Sequence, residues 1–132
     1  MPADERSRPV ILAVDDTPEN LDVVKGILAP ENIVRVAING MVALKIAQNQ
    51  LPDLILLDIN MPVMDGYEVC SELKNNERTA DIPVIFLTAE LDDASRLKGL
   101  ELGAVDYVTK PINPEVLRHS VRRQLDQKRS DK

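Results

Sequence analysis

The sequence predicts an α/β protein: a doubly wound, five-stranded parallel sheet with helices on both faces. Two observations lead there. Five short apolar runs, Val10–Val14, Ile33–Ala37, Leu54–Leu57, Val84–Leu87 and Val105–Val108, alternate with segments of helical periodicity. The first, third and fourth runs are almost continuously apolar, as in strands covered on both faces. The fifth is interrupted by Asp106 and is expected nearer an edge. Crossovers between parallel strands are expected to be right-handed.

Each helix has its own start signal. Thr17 can cap the first, with Pro18 in its first turn and Glu19 where the helix dipole favours a negative charge. Leu21, Val24, Ile27 and Leu28 follow at helical spacing, and Pro30 stops the run. Asn39 can cap a second helix carrying Leu44 and Ala47, and Asp65 a third carrying Val69 and Leu73. Asp92 or Asp93 can open a fourth, with Gly103 where a left-handed C-terminal residue would fall. Asn113, Pro114 and Glu115 repeat the cap, proline and acid order of the first helix, and Leu117, Val121 and Leu125 then recur every four residues.

The 132 residues suggest one domain, and a hydrophobic content of 44% is enough for a core built from Leu, Ile, Val and Ala, because the only aromatics are Tyr67, Phe86 and Tyr107. A net charge of −6 and few aromatics argue against nucleic acid, which would be repelled and would find few stacking platforms. The single cysteine, Cys70, forbids an internal disulfide, fits a reducing compartment and reads as helix filler. No apolar run reaches the roughly 18 residues of a membrane span, and the charged start MPADERSRP lacks a signal-peptide core. A cytoplasmic protein with no membrane insertion is expected.

In an open parallel sheet, ligands bind outside the carboxyl ends of the strands. Asp15 and Asp16 follow the first strand, Asp58 the third, Thr88 the fourth, and Thr109, Lys110 and Pro111 the fifth. Three carboxylates brought together repel one another unless a cation joins them. Hard oxygen ligands suit Mg²⁺, with Mn²⁺ as an alternative. An ammonium and a hydroxyl can hold phosphoryl oxygens, and an aspartate can be the nucleophile that accepts a phosphoryl group. Taken singly, each feature has a plainer reading: DD as turn and capping chemistry, Lys-Pro as a solvated lysine, Thr88 as a strand-end hydroxyl, Met61 and Met64 as packing. Their joint arrival at four strand ends is what the plainer readings leave unexplained.

The pieces ILAVDDTPENL, PDLILLDINMPVMDGYEVC, IPVIFLTAE and GAVDYVTKP resemble the receiver domain of bacterial two-component response regulators, in order and spacing and over nearly the whole chain. The resemblance implies a flavodoxin-like strand order of 2-1-3-4-5. It implies Asp58 as phosphoacceptor, and Asp15 and Asp16 as the Mg²⁺-holding pair, Asp16 directly and Asp15 through water. It adds the backbone carbonyl of Asn60 as a further ligand, with Thr88 and Lys110 contacting the phosphoryl group. Tyr107 matches the switch aromatic, and Pro111 the proline that follows a cis peptide bond. Asn60 and Glu90 occupy the two positions that tune hydrolysis of the acyl phosphate. The output face would comprise helix four, strand five and helix five, here Ala94, Leu97, Lys98, Asp106, Tyr107, Arg118 and Arg122.

Partners implied are a sensor histidine kinase or histidine phosphotransfer protein, and a downstream protein or covalently linked output domain; a homodimer through the output face is a further option. The opening DDTPENL resembles receivers attached to cyclic-di-GMP enzymes or hybrid kinases. The expected organisation is a flexible segment 1–9, a receiver domain 10–127 and a tail 128–132, with no room for an output domain after the last helix. The only enzymatic chemistry expected is the domain's own Mg²⁺-dependent phosphorylation and dephosphorylation. His119, the only histidine, reads as an exposed helix residue, and the basic stretch Arg118 to Arg129 as a solvated face. Three rivals are weaker. A flavin carrier would need a phosphate cradle where two acids stand. A phosphatase of the haloacid-dehalogenase type would need an acid at Asn60. A silent interaction module would not need an intact pocket.

Overall fold

The structure is a computed structural model that describes residues 8–89 and 92–130. The elements run β1 (Val10–Val14), α1 (Pro18–Leu28), β2 (Ile33–Ala37), α2 (Gly40–Asn49), β3 (Leu54–Asp58), α3 (Gly66–Lys74), β4 (Val84–Thr88), α4 (Asp93–Glu101), β5 (Asp106–Thr109) and α5 (Pro114–Ser130). The five strands form one parallel sheet in the order β2-β1-β3-β4-β5, as the resemblance implied.

Side-chain alternation splits the core between the two sheet faces. One face carries Leu12, Val14, Ile55, Leu57, Val84 and Phe86 and is covered by α2 and α3 through Ala43, Ala47, Val69, Cys70 and Leu73. Met61 and Met64 pack on this side, so their plain reading holds. The other face carries Ile11, Ala13, Leu54, Leu56, Ile85, Leu87 and Val108 and is covered by α1 and α5 through Leu21, Val24, Leu28, Leu117 and Val121. Every residue of β3 and β4 is buried, which is why those two segments read as unbroken apolar runs.

Most helix starts follow the sequence signals. Asn39 accepts from the Val42 N–H, and Asp92, rather than Asp93, accepts from the Ser95 N–H. At α3 the cap is reciprocal: Asp65 accepts from the Glu68 N–H, and the Glu68 carboxylate accepts from the Asp65 N–H. Gly103 has φ +105°, the left-handed region a glycine tolerates. Thr17 departs from expectation. It occupies the N-cap position of α1, but its side chain makes no capping bond, and its backbone N–H donates to Asp15 Oδ1 instead.

Boundaries also shift. Asp58 and Thr88 are the last residues of β3 and β4 rather than the first beyond them. β5 begins at Asp106, opposite Ile85, one residue later than the apolar run suggested. Asp106 is tolerated because β5 is an edge strand and because its carboxylate accepts from the Ser120 hydroxyl and the Tyr107 N–H. α5 runs on to Ser130, so the expected break after residue 127 falls inside a helix. Among the described residues, no helix is long and apolar enough to cross a membrane.

Candidate functional site

The parallel register brings the carboxyl ends of β1, β3, β4 and β5 to one edge. Val14 pairs with Leu57, Asp58 with Leu87, and Thr88 with Thr109. The groups singled out by the strand-end rule therefore converge there. Carboxylate oxygens of Asp15, Asp16 and Asp58 lie within 4.8 Å of one another. Asp15 and Asp58 are buried at 1% and 4% exposure, whereas Asp16 is open to solvent.

Lys110 is the counter-charge to this cluster. Its Nζ lies 3.0 Å from Asp15 Oδ2 and 3.1 Å from Asp58 Oδ1. The peptide bond before Pro111 is cis, and the Lys110 N–H donates to the Thr88 carbonyl at 2.8 Å, which ties the start of the β5–α5 loop to the end of β4. Thr88 itself is buried beside this loop.

The electrostatics follow from burial. Loss of solvent pushes the Asp58 carboxyl above its usual range, and the Asp15 charge adds to this; the Lys110 ammonium and the Asn60 N–H oppose it. Burial alone would lower the Lys110 pKa, but its hydrogen bonds to Asp15 and Asp58, with their charges, leave it raised. The cluster thus holds more negative charge than one lysine balances, and its three carboxylates offer hard oxygens. That donor set fits a small divalent cation such as Mg²⁺.

The loop after Asp58 explains the Met-Pro and Asp-Gly that follow it. The Gly66 N–H donates to the Ile59 carbonyl at 2.8 Å, and a Cβ on Gly66 would stand 2.4 Å from the Asp58 carbonyl oxygen. Only glycine lets α3 begin this close to the strand end. Val63, with φ 70° and 99% exposure, forms the tip of the loop.

Tyr107 lies across α4. Its hydroxyl donates to the carbonyls of Ser95 and Arg96, at 2.8 and 2.9 Å, and its ring leans on Phe86, which meets Tyr67 edge-on. Lys98 covers the Tyr67 ring at 4.4 Å, and Leu97 is exposed nearby on the same helix. Arg118 and Arg122, expected on this output face, are not on it. Arg118 donates to the Ile27 carbonyl, and both arginines line a groove with Leu28 and Glu31 beside α1. The cause is helix phase. Ser120 faces β5, and residues two positions away are turned by about 200°. Glu90 lies outside the described residues. His119 is exposed and Cys70 is buried in the core, where burial pushes its thiol up.

The sequence reading missed Asn20. Its Nδ2 donates to Asp15 Oδ2 at 3.2 Å, across one turn of helix start. The signal was available: with Thr17 at the N-cap, Asn20 is the third helical residue and faces back over the strand end.

The family model for the response regulator receiver domain matches residues 11–122. The chain belongs to that family. The receiver is 44% identical over 130 residues to a probable cyclic di-GMP phosphodiesterase of Vibrio cholerae, covering 98% of this chain and 30% of that protein. It is 44% identical over 113 residues to the response regulator PleD of Caulobacter vibrioides, covering 85% of this chain and 25% of that one. It thus spans under a third of the length of either relative. Among solved structures, a CheY-like response regulator receiver domain protein from Methanospirillum hungatei superposes with a TM-score of 0.88 at 29% identity, covering 96% of this receiver and all of that chain. The family places the receiver in two-component phosphorelay signalling.

Proposed function

We propose that this receiver takes a phosphoryl group onto Asp58 from a phosphohistidine of a sensor kinase or phosphotransfer protein, or from a small phosphodonor. The observation that carries the reading is Lys110 Nζ bridging Asp15 and Asp58 at the end of β3. An Asp58 carboxylate oxygen attacks phosphorus, the P–N bond to the donor imidazole (or the P–O bond to the acetate of acetyl phosphate) breaks, and an acyl phosphate forms. Asp15, Asp16, Asp58 and the Asn60 carbonyl would hold Mg²⁺, whose charge screens the repulsion between donor phosphate and carboxylate. Lys110 and Thr88 take the oxygens of the transferred group, and Lys110 then exchanges its contacts with the carboxylates for the phosphoryl oxygens. An in-line water later attacks phosphorus, the P–O bond to Asp58 breaks, inorganic phosphate leaves and the carboxylate is restored, with Asn60 and Glu90 setting the water's access.

The output is a population shift in the surface of α4, β5 and α5, carried by Thr88 and Tyr107. The groups there that suit a partner are Ala94, Leu97, Lys98, Asp106 and Tyr107; the α1-facing arginines are left out of it. The named relatives support a longer regulator with an output domain joined to the receiver.

The test is intact-protein mass after incubation with acetyl phosphate, with and without Mg²⁺, beside Asp58→Asn. One phosphoryl group added only with Mg²⁺ and absent from the variant is expected. No addition, together with no binding of beryllofluoride, would overturn the reading in favour of a silent interaction module.

A further inference from the structure

Asp15 is a buried carboxylate that accepts from three donors among the described residues. Oδ1 accepts the Thr17 N–H at 2.9 Å, and Oδ2 accepts both Asn20 Nδ2 at 3.2 Å and Lys110 Nζ at 3.0 Å. These three bonds have different fates in the proposed reaction. The Thr17 bond is backbone and stays. The Lys110 bond is given up when the ammonium turns to the phosphoryl group. Asn20 is then the one side chain among these three donors still fixing Oδ2.

The local sequence supports a dedicated role. An asparagine is a poor helix former, and the third helical position more often carries an acid that completes a cap. Here Thr17 leaves α1 without a side-chain cap, and Asn20 turns away from the helix start toward the carboxylate. The start of α1 is arranged around Asp15 rather than around its own free N–H groups.

The geometry points to Asn20 as a positioning residue for the cation site: its carboxamide holds Asp15 in the orientation that serves Mg²⁺, both before the phosphoryl group arrives and after Lys110 has turned to it. This rests on the proposed cation site. A donor to a ligand's other face fixes the ligand before the ion arrives, so the ordering is not charged to binding.

The experiment compares the unphosphorylated full chain with Asn20→Ala and Asn20→Gln by calorimetric titration with MgCl₂ at fixed ionic strength, and by urea unfolding in Mg²⁺-free buffer. Asn20→Ala is expected to weaken Mg²⁺ roughly 10-fold, at the lower end for loss of an outer partner because the bond is long. Its Mg²⁺-free urea midpoint should fall only slightly, since alanine's better helix propensity offsets part of the lost bond to Asp15. Asn20→Gln, which keeps the amide on a longer arm, should recover part of the affinity. An Asn20→Ala protein that binds Mg²⁺ within twofold of wild type overturns the assignment. So does a loss of affinity accompanied by a fall in the urea midpoint larger than one hydrogen bond accounts for, which would make Asn20 a fastening of α1. A wild-type chain that binds no Mg²⁺ overturns the cation site itself, and is distinguishable because it needs no variant.

Discussion

Gly99 is the seat of Tyr107, and replacing it with alanine tests how the aromatic is held. A Cβ at Gly99 would stand 1.8 Å from the tyrosine oxygen and 2.7 Å from its Cζ, so the ring must leave α4. Leaving costs the hydroxyl its bond to the Ser95 and Arg96 carbonyls, about 1 kcal/mol for one proton shared between two acceptors. The lost contact with Phe86, at a centroid separation of 5.7 Å, adds about 1 kcal/mol. Alanine in a helix interior returns about 1 kcal/mol relative to glycine. Gly99→Ala should therefore destabilise by about 1 kcal/mol in urea unfolding. In a Tyr107→Ala background only a 3.0 Å approach to Phe86 Cδ2 remains, which the ring can relieve by a small shift, and the same change should stabilise by at most about 1 kcal/mol. The inversion of sign is the signature, a coupling of at most about 2 kcal/mol between the two positions. Burial holds the Tyr107 phenol above its ordinary pKa, so its absorbance titration should move back toward the ordinary value in Gly99→Ala. Equal effects of Gly99→Ala in both backgrounds, with an unmoved titration, would refute the seat.

Asp58→Asn should unfold at higher urea than wild type at pH 7. Burial raises the Asp58 pKa above its unfolded value, so its contribution is fully present below the unfolded pKa and is lost as pH rises through the folded one. The gap should accordingly narrow as unfolding is measured from pH 7 down toward pH 4, and a gap that widens would contradict the burial argument. Asp65→Ala removes the reciprocal cap of α3 and should cost about 1 kcal/mol in the same assay, with little change in Mg²⁺ affinity. Saturating Mg²⁺ should raise the melting temperature of wild type, by about 2.7 kcal/mol of stabilisation at 100 times Kd; Asp16→Asn should lose most of that rise.

The fold was legible because β1, β3 and β4 are central strands, covered on both faces, and such strands must be apolar throughout. Edge strands are less so. Asp106 reads as a break in an apolar run, yet it lies within β5, because the Ser120 hydroxyl from α5 gives its carboxylate a partner. Caps were legible where the side chain bonds its own helix, as at Asn39 and Asp65, and misleading at Thr17, whose side chain makes no cap bond while its own backbone N–H is held by Asp15. The arginines of α5 show the same limit. Their spacing places Arg118 and Arg122 on one stripe, but only the packed helix says whether that stripe meets α1 or α4.

What the sequence by itself determined is the alternation of elements and the chemistry at the strand ends, because burial and turn formation act on neighbouring residues and leave a local pattern. What tertiary structure decided is everything that depends on rotation about an axis and on distance across the sheet. Lys110 lies 95 residues from Asp15 and 52 from Asp58, and it meets both only because parallel pairing puts the ends of β1, β3 and β5 on one edge. Asn20 reaches Asp15, and Tyr107 settles on Gly99, for the same reason: helix phase is fixed when the apolar stripe is buried, and the polar residues are carried to wherever that burial turns them.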